Sequence, residues 1–350
     1  MNGTSLNGNE LSRHLPLTWP YPPSPGSTAS PKLCALKPTP VFDAYWRFAA
    51  ERQRIFVKRQ TQSLPPWTTD PILTQFKFTN VYRASDRVSQ FLIRHVIYAG
   101  DDDPAEVIFR ILLFKLFNKI ETWQLLERAL GSVSTEDFSV KRMSAVLNRA
   151  LEAGDRIYSG AYIMPSGSKA FKTARKHDAH LHLLQMMLAD NIAEKIQGAP
   201  NLKAVFEMLR SYPLLGDFLA YQYSIDINYS GVTDFSESEF VCAGPGARSG
   251  IRKCFTNLDE ITDEEVISLV TDCQEEEFRH RGISFPWLGS RHLQLIDIQN
   301  VFCEIDKYAR VQFPDAVGLA NRAKIKRRFR PNPSPIQPFY PPKWGINGSA

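Results

Sequence analysis

Apolar positions along this chain recur at three- and four-residue intervals, and no long stretch alternates every second residue. Side chains spaced that way share one face of a helical turn, so the pattern predicts an all-α fold. Helical patterning starts at Val41 (VFDAYWRFAAERQRIFVKRQ). Phe76 to Tyr98 (FKFTNVYRASDRVSQFLIRHVIY) reads as a further helix, with Arg83, Arg87, Gln90 and Arg94 aligned along one side at i, i+4, i+7 and i+11. Asp103, Pro104 and Glu106 supply a cap, a first-turn proline and a capping-box acid ahead of VIFRILLFKLFNKI, and Gly131 stands near that region's end. The same grammar recurs from Ser134 and Asp137 to Gly154, and from Thr262 and Glu265 to Gly282. Leu293 to Val311, turned through about 100° per residue, has one apolar half and one polar half carrying Asp297, Asn300, Glu304 and Lys307.

Candidate chemistry concentrates between Tyr212 and Phe255. Pro213 and Gly216 bracket a hairpin, and an apolar helix-like run follows to Ile227. Gly244, Pro245, Gly246 and Gly250 then read as a turn flanked by Arg248, Arg252 and Lys253. Glycines let backbone N–H groups converge on an oxyanion, and a following helix end adds partial positive charge, so this turn is a candidate phosphate seat beside candidate acids. An ordinary helix cap and loop explains the same residues. The arginines of 76–98 suit forked phosphate contacts or an internal salt-bridge network. The polar half of 293–311 suits acid–base or substrate-positioning work, or simply a face turned to water.

The chain has 350 residues, 43% hydrophobic and 23% charged, enough for a full core in one large domain or two lobes. Eight prolines between Pro16 and Pro40 and six between Pro331 and Pro342 mark flexible ends. The expected division is a Pro/Ser/Thr-rich leader over 1–40, a helical domain over 41–320 and a basic, Pro-rich segment over 321–350. The net charge of +5 becomes −1 without the six basic residues of Arg322 to Arg330. Such a tract reads as a phosphate-backbone contact, a nuclear localisation signal or a solvated helix end.

Five cysteines without CxxC spacing fit a reducing compartment. The amino terminus has no signal-peptide core, and the most apolar run, Val107 to Phe117, is cut by Arg110 and Lys115, which argues against a membrane span. The expectation is an intracellular protein, nuclear in a eukaryote. His177, His180 and His182 cannot converge on one ion from a helix, because His182 points about 140° from His177; no metal is expected. The glycine turn lacks a following GK[ST], so the chain does not read as a P-loop kinase by itself.

Several blocks together resemble the helical-domain family of the 5-hydroxymethyluracil DNA kinases, also described as α-glutamyl/putrescinyl thymine pyrophosphorylases. They are the block from Pro65 to Tyr98, YPLLGDFLAYQYSIDINYS from Tyr212, AGPGARSGIRKCF from Ala243, LQLIDIQNVFCEIDKYARV from Leu293, and FYPPKWGIN from Phe339. The resemblance implies a helical fold similar to helix-hairpin-helix DNA glycosylases. It also implies thymine hypermodification, in which pyrophosphate on a 5-hydroxymethyluracil is displaced by an amine or amino acid. A DNA glycosylase and a noncatalytic DNA-binding module are the alternatives.

Carried onto this sequence, Gly216 belongs to the hairpin and Asp226 is the first candidate catalytic acid. Asp234 is its rival, because a glycosylase aspartate follows the hairpin by roughly twenty residues. Gly244, Gly246, Arg248 and Lys253 would hold phosphate. Arg83, Asp86 and Arg87 would line the DNA or base pocket, where Tyr82, Tyr221 or Trp287 would stack on the base. Asp297 and Glu304 would add acids, and Asn300 and Lys307 would contact substrate. The implied partners are DNA, a separate DNA-base kinase and a small amine or amino acid, with no membrane and no cofactor.

Overall fold

The computed structural model describes residues 36–62, 64–319, 322–331 and 337–348. Most of the expected leader lies outside them. Strand β1 (Lys37–Pro38) precedes α1 (Pro40–Thr61) and α2 (Pro71–Gln75). An extended stretch then leads to a 3-10 turn at Arg83–Ser85, α3 (Arg87–Phe91) and a π-helical turn at Leu92–Ile97. There follow α4 (Pro104–Phe117), α5 (Ile120–Leu130), α6 (Val140–Glu152), α7 (Ser168–Phe171), α8 (Lys176–Ala189), α9 (Ile192–Gln197), α10 (Leu202–Arg210) and α11 (Asp217–Asn228). The last elements are α12 (Pro245–Cys254), β2 (Phe255–Thr256), α13 (Asp263–Asp272), α14 (Gln274–His280), α15 (Leu295–Gln312) and a 3-10 turn at Pro342–Trp344. The fold is all-α. Among the described residues the β1–β2 pair is the one sheet, and no helix is long and apolar enough to cross a membrane.

Local signals explain most helix starts. Asp103 accepts N–H bonds from Ala105 and Glu106 and caps α4, with Pro104 in the first turn. Thr262 and Glu265 form the expected reciprocal capping box of α13. Glu106 departs from expectation, because its carboxylate accepts the Thr135 N–H at 3.0 Å and ties α4 to the loop ahead of α6. Ser139 caps α6 in place of Ser134. The two long regions ending at Gly131 and Gly282 each divide into two helices, the first at the left-handed Asn118 (φ 47°), the second at Cys273.

Phe76 to Tyr98 is not one helix. Asn80 donates its backbone N–H to Asp86 Oδ1 at 2.8 Å and its side-chain amide to the Ser85 carbonyl at 2.7 Å. These local bonds compete with the helical ladder and hold residues 79–86 in an irregular turn. The arginines therefore do not form a stripe: Arg83 is buried, whereas Arg87 is exposed.

The glycine-rich segment is also not a turn. Gly244 caps α12, and Gly246 and Gly250 lie inside that helix, against α15. An ideal Cβ on Gly250 would stand 2.0 Å from the Phe302 carbonyl oxygen, and one on Gly246 2.3 Å from Cys303 Sγ. Glycine is required there for close helix–helix approach, not for phosphate binding. Across the same interface Ser249 donates to Asp306 Oδ1 at 2.8 Å, and buried Lys253 pairs with Asp306 at 3.1 Å.

Helices α10 and α11 are joined by the short turn Ser211–Gly216, in which Leu214 takes φ 72°. The chain end folds back onto the body. Tyr340 is buried with its hydroxyl 3.0 Å from Ser85 Oγ, and Gln90 Oε1 accepts the Phe339 N–H at 2.7 Å.

Gly250→Ala is expected to destabilise the protein by about 1–3 kcal/mol or more through overpacking. Gly216→Ala, where nothing lies within 4 Å of the new Cβ, serves as the mild comparison. Urea unfolding of the two variants checks this; equal midpoints would contradict the close approach.

Candidate functional site

One cleft of about 1950 Å³ opens between the turn at residues 79–86, the α4–α5 junction, the loop around Tyr162, α11 and α15. Its floor is a buried ion cluster. Asp226 Oδ1 accepts from Arg83 Nη1 at 2.6 Å, and Oδ2 accepts from Arg83 Nη2 at 2.9 Å and from Lys115 Nζ at 2.8 Å. All three side chains are 3% exposed or less. Gln222 Oε1 accepts from Arg83 Nε at 2.9 Å, and Lys115 also donates to Asn118 Oδ1 at 3.0 Å. The Tyr162 ring lies under Lys115 at 4.6 Å and stacks on Phe218.

Helical spacing puts Phe218, Gln222 and Asp226 on one face of α11, each one turn after the last. Arg83 reaches them because its backbone N–H is anchored to Asp297 Oδ1 at 2.7 Å. Burial pushes the Asp226 carboxyl up, but the charges and hydrogen bonds of Arg83 and Lys115 outweigh it and hold the group below the usual aspartate range. Burial pushes Lys115 down, partly offset by Asp226. The cluster carries one net positive charge when all three groups are ionised.

A second polar group forms one wall. Glu304 pairs with Lys307 and accepts the Thr79 N–H at 3.1 Å. Asn300 donates to the Asn80 carbonyl at 2.9 Å, and Arg52 donates to Asn80 Oδ1 at 2.7 Å. Asp86 has Oδ1 on the Asn80 N–H, while Oδ2 accepts no hydrogen bond from the described residues. Burial raises Asp86 to about 6, with Glu304 adding to the rise and Asn80, Arg52 and Arg83 opposing it.

The basic tract forms the rim. Arg322, Lys324, Lys326, Arg327, Arg328 and Arg330 are exposed and border the cleft. Backbone bonds fix the tract beside α2: Phe329 N–H to the Gln75 carbonyl at 2.9 Å, and Lys77 N–H to the Arg327 carbonyl at 3.0 Å. Phe329 packs edge-on against Trp67.

The cleft thus gathers Arg83, Asp86, Arg87, Asp226, Asn300, Glu304 and Lys307 from the sequence expectations. Others lie elsewhere. Asp234 is 86% exposed and pairs with Lys343 beside a separate, smaller cleft. Asp297 is buried behind the floor, with its second oxygen on the Gln294 N–H of the α15 cap, and burial raises it to about 7. Gly244 packs on Phe218 and gives its N–H to Gln299, so it stands behind the cleft wall. Arg248 faces Asp263 and Glu264. Lys253 is consumed by Asp306, and Gly216 caps α11. Tyr82 and Tyr221 are core residues, and Trp287 packs in a cluster with Phe278 and Phe285.

Lys115, Gln222, Arg52 and Tyr162 were not singled out as site residues by sequence. Lys115 had a signal: a cation inside the most apolar run of the chain needs a buried partner. Gln222 had another, standing one turn before Asp226 on the same helical face. His180 is occupied structurally, with Nδ1 2.8 Å from Tyr158 Oη and Nε2 2.8 Å from the Pro165 carbonyl; burial lowers it to about 4. Among the described residues no three His, Cys, Asp or Glu side chains are grouped to hold a metal ion.

Asp226→Ala leaves Arg83 and Lys115 buried without a counter-charge and is expected to lower stability by about 3–5 kcal/mol. Lys115→Met leaves the Arg83–Asp226 pair intact and is expected to be milder. Because the folded-state pKa of Asp226 is depressed, its stabilisation is full above the unfolded-state value and is lost as pH falls through the folded value. Chemical denaturation of both variants between neutral and acidic pH tests this order. An Asp226→Ala protein as stable as wild type would contradict it.

Comparison with known proteins places this geometry in a family. A model described as "5-hmdU DNA kinase, helical domain" matches residues 39–318. A protein of Bacillus phage SP10 named "5-hmdU DNA kinase" is 26% identical over 286 residues, which cover 77% of this chain and 45% of that protein. The chain therefore spans less than half the length of this relative. No solved structure gives a significant match. With its matched region running from the start of α1 to beyond α15, the chain belongs to the family of the 5-hmdU DNA kinase helical domain.

Proposed function

We propose that the chain modifies a 5-hydroxymethyluracil-type pyrimidine in DNA, drawn out of the duplex into the cleft, by exchanging a pyrophosphate on its 5-methylene for an amine or amino acid. The observation that carries this reading is the exposed basic rim standing at the mouth of a cleft whose floor is cationic and hydrogen-bonding. A rim of this kind suits a phosphate backbone, and base extrusion costs a few kcal/mol that backbone contacts offset. The name of the phage relative supports the choice of base.

In this scheme the methylene C–O bond breaks and its electron pair leaves with pyrophosphate. The amine forms the new C–N bond and gives up one proton. Asp86 suits that proton, because its pKa of about 6 leaves it ionised yet basic near neutrality. Asp226, held ionised by Arg83 and Lys115, is a poor base and instead anchors those two cations at the floor, where their excess charge faces the departing pyrophosphate. Arg83 commits four of its five N–H bonds to Gln222, Asp226 and Tyr229, leaving one for the departing anion. The sequence has no GxxxxGK[ST], so we assign formation of the pyrophosphate to a separate kinase activity.

Mass spectrometry of nucleosides from hydroxymethyluracil DNA incubated with the protein, a DNA-base kinase, ATP and candidate amines tests the scheme. Kinase-dependent amine adducts are the expected result. Free base with alkali-labile sites would assign glycosidic cleavage instead, and unchanged DNA that is still bound would assign a noncatalytic module. Below pH 6 the adduct rate should fall about tenfold per pH unit, and Asp86→Asn should remove that limb together with most of the rate. Replacing Lys326 and Arg327 by Gln should reduce the salt slope of DNA binding by about 0.9 for each phosphate that the rim no longer neutralises; an unchanged slope would detach the rim from DNA.

A further inference from the structure

We propose that Gln222 reads the 4-position of the extruded pyrimidine, accepting a keto base and rejecting an amino base. This assignment rests on the cleft being the base pocket. An amide side chain presents oxygen on one end and NH2 on the other, and a neighbour that only donates removes the ambiguity between them. Arg83 is such a neighbour: a guanidinium has no acceptor. Its Nε–H donates to Gln222 at 2.9 Å, so the oxygen must face Arg83 and the NH2 must face away.

Three observations direct that NH2 into the cleft. Gln222 lines the cleft although only 1% of its surface is exposed. Its Nε2 donates to no described residue, and it is not among the enclosed side-chain atoms left without a partner. Helical spacing also places it between Asp226 in the floor and Phe218, whose ring stacks on Tyr162 at 5.7 Å and forms the adjoining aromatic wall. A buried donor beside an aromatic wall is what a planar base with a carbonyl at its edge requires.

The lock supplies the discrimination. Uracil offers the O4 acceptor at the position where cytosine offers an N4 amino donor. A free glutamine could rotate its amide and accept from cytosine. Gln222 cannot do so without turning its NH2 toward the Arg83 Nε–H, and Arg83 is itself fixed by two bonds to Asp226. Rejecting cytosine therefore follows from the buried ion pair one turn away, and Gln222 acts as a specificity residue whose orientation Arg83 sets.

The test uses the wild-type chain and three otherwise identical duplexes carrying 5-hydroxymethyluracil, 5-hydroxymethyl-2-pyrimidinone or 5-hydroxymethylcytosine at one position. Competitive binding is measured so that no kinase or amine is needed. Uracil should be preferred over cytosine by about 10- to 100-fold, with the pyrimidinone, which has no group at position 4, in between. Gln222→Glu keeps an oxygen for Arg83 but presents an acceptor to the cleft, so the preference should shrink or reverse toward the amino base. A merely structural role would weaken all three duplexes alike. Equal affinity of the wild-type chain for the three bases overturns the assignment while leaving the base pocket standing; no added affinity for any of them over plain duplex overturns both.

Discussion

The buried triad of Arg83, Asp226 and Lys115 is the interaction on which the remaining geometry depends. Two cations and one carboxylate removed from water are costly apart and tolerable only together, so the elements that carry them must meet. Arg83 comes from an irregular turn, Lys115 from the end of α4 and Asp226 from α11. Their convergence fixes the floor of the cleft and the angle at which its walls stand. The excess of cation over anion matters as well, because it leaves the floor positive without any loop dedicated to phosphate.

Behind this floor the molecule relies on close packing. Gly246 and Gly250 let α12 approach α15 to a distance no side chain would permit, and Lys253 with Asp306 and Ser249 spans the same interface. α15 is thereby held with Asn300, Glu304 and Lys307 turned toward the turn at residues 79–86. What resembles a phosphate loop in sequence is in space the support of an acid-bearing helix. It acts on the cleft only through the residues it positions.

The helical class, several caps and the polar residues Arg83, Asp226, Asn300, Glu304 and Lys307 that line one cleft were legible, because periodicity and buried polar residues leave a mark in sequence. The break inside Phe76–Tyr98 was not. Its cause is a pair of side-chain bonds from Asn80 to Ser85 and Asp86, which periodicity does not register. The glycines of α12 misled for a related reason: glycine marks both a turn and a crowded helix, and only the neighbouring chain decides between them. Asp234 and Asp297 show the same limit, since one faces solvent and the other is taken up by two backbone N–H groups.

The proposed division of work among the acids follows from their surroundings and not from their chemical type. Asp226, fully buried, and Asp86, half-buried, line one cleft, yet their proton affinities move in opposite directions. Asp226 faces two cations at hydrogen-bond distance and stays ionised. Asp86 has a single backbone donor and the Glu304 carboxylate nearby, so burial prevails and it holds a proton near pH 6. Environments that separate two carboxylates in this way give one cleft a carboxylate that anchors its cations and another that can accept a proton. In the proposed exchange of a leaving anion for nitrogen at a methylene carbon, the anchored cations face the leaving group while the carbon–oxygen bond is stretched, and the second carboxylate takes the proton that the new ammonium sheds.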